Sequence, residues 1–148
     1  MEVQYACSRA GVPSKTSIAA WARTALEDLA GDHVELVVRI VGEEEGAELN
    51  ERYRHKSGPT NVLSFSYAGS EGISDGSALL GDVVICAPVV AREAHLRGVP
   101  VAAHWAHMVV HGIMHLRGYD HIKERDARIM EQMESRIIRR MGFADPYA

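Results

Sequence analysis

The chain has 148 residues, the length of one domain, and with 47% hydrophobic and 24% charged residues it can bury a core and does not read as disordered. Sixteen basic against twenty acidic side chains leave a net charge of -4, which excludes a uniformly basic nucleic-acid binder and leaves any RNA or DNA contact to a local patch. Met1 to Tyr5 has no basic segment followed by an apolar one, and no run reaches the roughly 18 apolar residues of a bilayer span, so a cytoplasmic protein with one domain over residues 1–148 is expected. Cys7 and Cys86, isolated and far apart in sequence, read as reduced and structural.

In chain order, Val3 to Ala6 predicts a short strand. Ser17 is an N-cap candidate for a helix in which Ile18, Trp21, Ala22, Ala25 and Leu29 recur at helical spacing before Gly31 stops it. His33 to Val41, rich in β-branched residues between two glycines, predicts a strand. Glu43, Glu44 and Glu45 place negative charge in the first turn of a second helix, with Leu49 and Tyr53 on its inner face and its end near Arg54. Asn61 to Tyr67 alternates as a strand does, Ala68 to Ser77 reads as a surface loop without a phosphate-binding motif, and Leu79 to Cys86 reads as a buried strand. Pro88 suits the first turn of a short helix ending near Arg97. Beyond Gly98 and Pro100, Val101 to Leu116 predicts a central, buried helix with Val101, Trp105, Val109, Gly112, Ile113 and Leu116 on one broad apolar side. Gly118 ends it, and Ile122, Ile129, Met130, Met133, Ile137 and Met141 mark the expected inner face of a long final helix.

Five of the eight histidines, His104, His107, His111, His115 and His121, fall within eighteen consecutive positions. On a helical projection His104, Met108, His111 and His115 share a strip about 60° wide, with His107 offset to one side. His111 and His115 lie one turn apart, about 6 Å of rise, so their imidazoles can converge on one ion. His104 or His107 would stretch the set to about 11 or 12 Å, too far for bonds near 2.1 Å, and both read as hydrogen-bonded core residues. Gly118 lets the chain turn back, and His121 completes a set of three neutral nitrogens that leaves a coordination position open, as in catalytic zinc sites. Asp120 reads equally as a turn residue or as an acceptor orienting a liganding imidazole. The geometry is zincin-like, but Gly112 stands where H-E-x-x-H peptidases carry their general-base Glu, which counts against a peptide hydrolase and points to close packing instead.

The segments H-G-I-M-H-L-R-G-Y-D-H (His111 to His121), A-H-W-A-H-M-V-V (Ala103 to Val110), L-L-G-D-V-V-I-C (Leu79 to Cys86) and L-N-E-R-Y-R-H-K-S-G-P-T-N-V-L-S-F (Leu49 to Phe65) resemble the YbeY family, bacterial zinc-dependent endoribonucleases of rRNA maturation. The resemblance spans roughly Leu36 to Tyr147, with Ser66 departing where relatives often carry Pro. It implies an α+β fold, a small mixed β-sheet covered by helices, with one zinc ion per chain on His111, His115 and His121. It also implies Arg54 and His115 as catalytic residues. The activity it implies is single-strand-specific cleavage in small-subunit rRNA 3′-end processing and ribosome quality control. Implied partners are rRNA, the small ribosomal subunit, and a ribosome-assembly GTPase or ribosomal protein. Independently of the family, Arg52, Arg54 and Lys56 form a basic cluster that reads either as a solvated helix end or as a phosphate grip. Arg136, Arg139 and Arg140 read as complements to a helix dipole. No general base is evident, and Asp82 and His107 are the side-chain candidates. The rival readings are a non-catalytic, zinc-stabilised ribosome-assembly factor and a zinc hydrolase acting on peptides or small molecules.

Overall fold

The structure is a computed structural model that describes residues 1–27, 34–66 and 79–148. The expected helix stop at Leu29 to Gly31, the strand start at His33, Tyr67 and the loop Ala68 to Ser77 lie outside the described residues. The elements run β1 (Glu2–Ala6), α1 (Lys15–Leu26), β2 (Val34–Val41), α2 (Glu43–Arg54), β3 (Val62–Ser66), β4 (Leu79–Cys86), α3 (Ala87–Arg97), α4 (Val101–Leu116) and α5 (Glu124–Arg140). The four strands form one sheet in the order β1-β2-β4-β3, with β1, β2 and β4 parallel and β3 antiparallel to β4. This is the expected α+β fold with a small mixed sheet.

The two faces of the sheet carry separate apolar clusters, as period-two alternation requires. Leu36, Val38, Ile40, Val83 and Ile85 point to one side and pack with α1, α4 and α5; Val41, Leu63, Val84 and Cys86 point to the other, with Leu49 of α2 packed against them. Helix α4 is the hub of the larger cluster, and Trp105, Ile113, Met114 and Leu116 are fully buried side chains on it. Burying each contributes about 1.5–3 kcal/mol before entropy is counted. Only Val101, at its first turn and 43% exposed, departs from the expected apolar side.

Gly112 is where α4 meets the sheet. A Cβ there would stand 2.5 Å from Val83 Cγ1 and 3.1 Å from Val62 Cγ2, and the Ser64 hydroxyl donates to the Gly112 carbonyl at 2.8 Å. The glycine therefore permits close packing, and a glutamate at this position would be driven into β3 and β4 rather than toward the histidines.

Three expected details are corrected. The N-cap of α1 is Ser14, whose hydroxyl accepts from the Ser17 backbone N–H, so the helix starts three residues earlier than a Ser17 cap implies. Tyr53 is exposed, because the buried positions of α2 are Gly46 and Asn50, although its ring meets Phe65 edge-on at 5.2 Å. Ile122 and Ile129 are also exposed. Ile122 precedes the Lys123 N-cap of α5, and the buried face of that helix runs through Met130, Glu134, Ile137 and Ile138. Cys7 and Cys86 are both free thiols, and no described helix is long and apolar enough to cross a membrane.

Candidate functional site

The C-terminal half of α4 carries His111 and His115 on one side, and the turn that follows returns His121 to them. Gly118 has φ +96°, a conformation that costs a side chain dearly and a glycine little, and it lets the chain reverse direct from the helix end. Asp120 then accepts from the backbone N–H of His121 at 2.7 Å and of Ile122 at 3.3 Å, which makes it the turn residue of the two alternatives.

His111 Nε2 and His115 Nε2 lie 3.2 Å apart, and His115 Nε2 and His121 Nδ1 lie 3.1 Å apart. The ligand atoms of all three residues fall within 4.8 Å of one another. Nitrogens bonded tetrahedrally to one ion at about 2.1 Å are separated by about 3.4 Å, so the three rings fit a metal with little movement. Burial, and then the neighbouring charges of His111 and His121, lower His115 to about 4, so its ring is neutral and able to ligate at pH 7.

Behind the three rings stands Glu134 of α5, with 0% of its surface exposed. Its Oε2 lies 2.8 Å from His111 Nδ1 and its Oε1 2.8 Å from His107 Nε2, and Oε1 also accepts from the Tyr147 hydroxyl at 2.5 Å. Burial works against its charge, but the hydrogen bonds from His107, His111 and Tyr147 outweigh it and hold the carboxyl at about 2. Burial and the Glu134 acceptor in turn push the Tyr147 hydroxyl well above its ordinary range, so it remains a donor. The grouping of His107, His111 and Glu134 has metal-ligand spacing too. It is nevertheless saturated by these contacts, and the carboxylate acts there as the shared acceptor.

Sequence reasoning missed Glu134. A signal existed, because an acid four residues after Met130 and three before Ile137 lies on the buried stripe of α5, where an unpaired charge is costly.

The histidines form part of the wall of a cleft of about 910 Å³, which Arg54, Lys56, Asn50, Asn61, Phe65 and Tyr119 also line. Arg54 sits at the end of α2, which His55 closes in the left-handed conformation at φ 58°. Its guanidinium donates to the Ser64 carbonyl at 2.9 Å and to the Tyr53 carbonyl at 3.2 Å, and its carbon lies 5.2 Å from the Phe65 ring centre. Both bonds go to neutral carbonyls, so the positive charge is held in place with N–H groups left over for an anion. The cleft thus brings together Arg54, Lys56, His111, His115 and His121, which lie far apart in sequence.

Other candidates fall elsewhere. His104 is buried and bonded to Glu93 at 2.8 Å, and Glu93 also accepts from Asn61 at 3.1 Å. His107 is buried behind Glu134 and does not line the cleft. Both are the hydrogen-bonded core residues expected. Asp82 follows Gly81 and precedes Val83, whose positions face Leu116 and Gly112 of α4, so alternation turns Asp82 to the opposite side of the sheet. Neither Asp82 nor His107 is therefore placed to serve as a base in the cleft. Arg140 pairs with Glu27, which supports a structural role for the end of α5.

The chain matches the family model described as Endoribonuclease YbeY over residues 4–142. An Endoribonuclease YbeY from Methylococcus capsulatus is 55% identical over 140 residues, covering 95% of this chain and 90% of the relative. Another from Xanthomonas axonopodis pv. citri is 49% identical over 148 residues, covering 99% and 91%, and one from Alcanivorax borkumensis is 45% identical over 150 residues, covering 100% and 86%. A solution structure of a Thermotoga maritima protein has the same fold, with a TM-score of 0.66 at 23% identity over 99% of this chain and 98% of that one.

Proposed function

The chain belongs to the YbeY endoribonuclease family, and from that premise we propose that it is an RNA-cleaving hydrolase whose site is the cleft between Arg54 and the three histidines. The metal is zinc, one ion per chain, on His111, His115 and His121. The substrate is single-stranded precursor rRNA near the 3′ end of the small-subunit rRNA, in maturation and ribosome quality control in the cytoplasm. Candidate partners are the small ribosomal subunit and a ribosomal protein or assembly GTPase.

One observation carries the reading: a basic side chain with no acidic partner among the described residues and a convergent set of three imidazole nitrogens line the same cleft. His111, His115 and His121 would hold the ion, which would supply Lewis-acid chemistry, by polarising a phosphoryl oxygen or by activating water. The chain's own residues do the rest. Arg54 presents N–H groups that grip a phosphate and offset charge developing on its oxygens. Phe65 and the Ser64 carbonyl hold that guanidinium in place, so little order must be imposed when RNA arrives. Lys56 adds a second cation along the same wall.

The test is cleavage of a labelled precursor-rRNA 3′ fragment, alone and on ribosomal subunits, by zinc-loaded protein, with His115→Ala purified identically as the control. Native protein should cut and His115→Ala should not. Arg54→Ala should lose cleavage by about 10²-fold or more, the scale of one removed charge-stabilising donor, while retaining the metal. Loss of the metal in Arg54→Ala would make Arg54 structural. If native protein and His115→Ala cut equally, or neither cuts on either substrate, the nuclease reading gives way to a non-catalytic, zinc-stabilised assembly factor.

A further inference from the structure

The buried contacts behind the histidines reach beyond the three ligands. Glu134 is fully buried on α5, and an ionised carboxylate can only accept hydrogen bonds. Every group facing it must therefore donate. His111 does so through Nδ1–H at 2.8 Å, which leaves Nε2 of that ring without a proton and directed at His115 Nε2, 3.2 Å away. The opposite tautomer would set an imidazole lone pair against the carboxylate and put a proton where the ion belongs.

Glu134 is itself held from the other side. His107 Nε2–H reaches Oε1 at 2.8 Å and lies 3.1 Å from the Tyr147 oxygen, while the Tyr147 hydroxyl donates to the same Oε1. Tyr147 is fixed in turn by its own backbone. Asp145 Oδ1 accepts from the Ser135 hydroxyl at 2.6 Å and from the Tyr147 N–H at 2.9 Å, which ties the segment after α5 back onto that helix. Tyr147 lies beyond the residues that match the family model.

We propose that Glu134 is a positioning residue for the metal site, fixing His111 in the tautomer that turns Nε2 to the ion, and that Tyr147, strapped down through Asp145 and Ser135, fixes Glu134. The proposal rests on the metal reading of the three histidines. It concerns how one ligand is prepared, and Glu134 touches neither ion nor substrate. Carboxylates that receive the second N–H of a liganding histidine set its ring orientation and basicity, and losing one costs about 10–100-fold in metal affinity.

The experiment measures zinc affinity by competition with a chromophoric chelator for the native protein, Glu134→Ala, Glu134→Gln and Tyr147→Phe, each checked for folding by circular dichroism. In parallel, long-range proton–nitrogen spectra of the metal-free native protein and variants assign the His111 tautomer. The expected result is an Nδ1–H tautomer at His111 in the native protein, mixed tautomers in Glu134→Ala, and zinc binding about 10–100-fold weaker in that variant. Glu134→Gln, which keeps an accepting oxygen, should recover part of the loss, and Tyr147→Phe should weaken binding by less than Glu134→Ala does. Native-like zinc affinity in a folded Glu134→Ala, or an Nε2–H tautomer at His111 in the native protein, overturns the proposal. Should Glu134→Ala fail to fold, the native tautomer and Tyr147→Phe decide, and unchanged affinity in the latter overturns the role of the strap. A native protein that binds no zinc defeats the metal reading and this proposal together, whereas tight native binding left unaltered by the variants defeats only the role of Glu134.

Discussion

At the scale of single residues, the histidines of α4 divide by what lies opposite each ring. His104 and His115 are both lowered in pKa by burial, yet one faces a carboxylate and the other faces two imidazoles. For His104, burial is the largest influence and outweighs the upward pull of Glu93, so the contact is a hydrogen bond from a neutral ring rather than an ion pair. The sign of the pH dependence follows. Below the ordinary value of 6.5 the unfolded chain takes up a proton that the folded chain refuses, so the titration of His104 has no effect on stability above that pH and costs stability as the pH falls beneath it, while its packing and its hydrogen bond to Glu93 stabilise throughout. His104→Gln, which lacks this proton, should be less stable than the native protein at pH 8, and the gap in melting temperature should narrow as the pH drops below 6.5. Thermal scans from pH 8 to pH 5 check this, and a gap that stays constant with pH would sink it.

At the scale of elements, α4 works because it is pressed against the sheet on one side and open to the cleft at its end. The approach is set by Gly112, so Gly112→Ala should move the helix away from Val83 and Val62. The cost should be about 1–3 kcal/mol, as for other overpacked cores, measured by urea unfolding of the metal-free protein. A change under a few tenths of a kcal/mol would mean that the helix yields easily and that the contact does not fix the site. Helix α5 has a different task. Its buried stripe supplies Met130, Ile137 and Ile138 to the core and, between them, the carboxylate of Glu134, which meets His107 and His111 of α4. The helix order, the central helix and the place of Arg54 at the end of α2 were legible in the sequence, because capping and periodicity are local. The Ser14 cap was not, because two serines three residues apart both qualify and only backbone geometry chooses between them. Ile122 was misread for a related reason: the start of α5 at Glu124 is set by the turn that delivers His121.

At the scale of the whole molecule, a net charge of -4 gives an overall field that does not attract RNA, so under the proposed function the attraction comes from the cleft. Among the described residues, Arg54 and Lys56 are the lysine and arginine side chains lining it. Each phosphate neutralised on a single strand contributes about -0.7 to the slope of log affinity against log salt. Binding of a single-stranded RNA by the His115→Ala protein should therefore show a slope of about -1 to -2, and Arg54→Ala should make it shallower by roughly one phosphate's share. A slope as steep as about -5, unchanged by Arg54→Ala, would place the RNA on another surface.

The sequence by itself determined the candidate metal ligands as a set and the helix that carries two of them, because a one-turn spacing and a glycine stop act over a few residues and need no knowledge of the rest of the chain. It also carried the family resemblance, with the α+β fold that the resemblance implies. Only the tertiary structure decided that Arg54 shares a cleft with those ligands, since that depends on β3 pairing antiparallel to β4 at the sheet edge and bringing Ser64 and Phe65 beneath the guanidinium. It also turned Asp82 away from the cleft through the pleat of β4 and set Glu134 behind His111 through the packing of α5 on α4. These are contacts between segments far apart in the chain, and no local pattern of residues encodes which distant side chain will arrive.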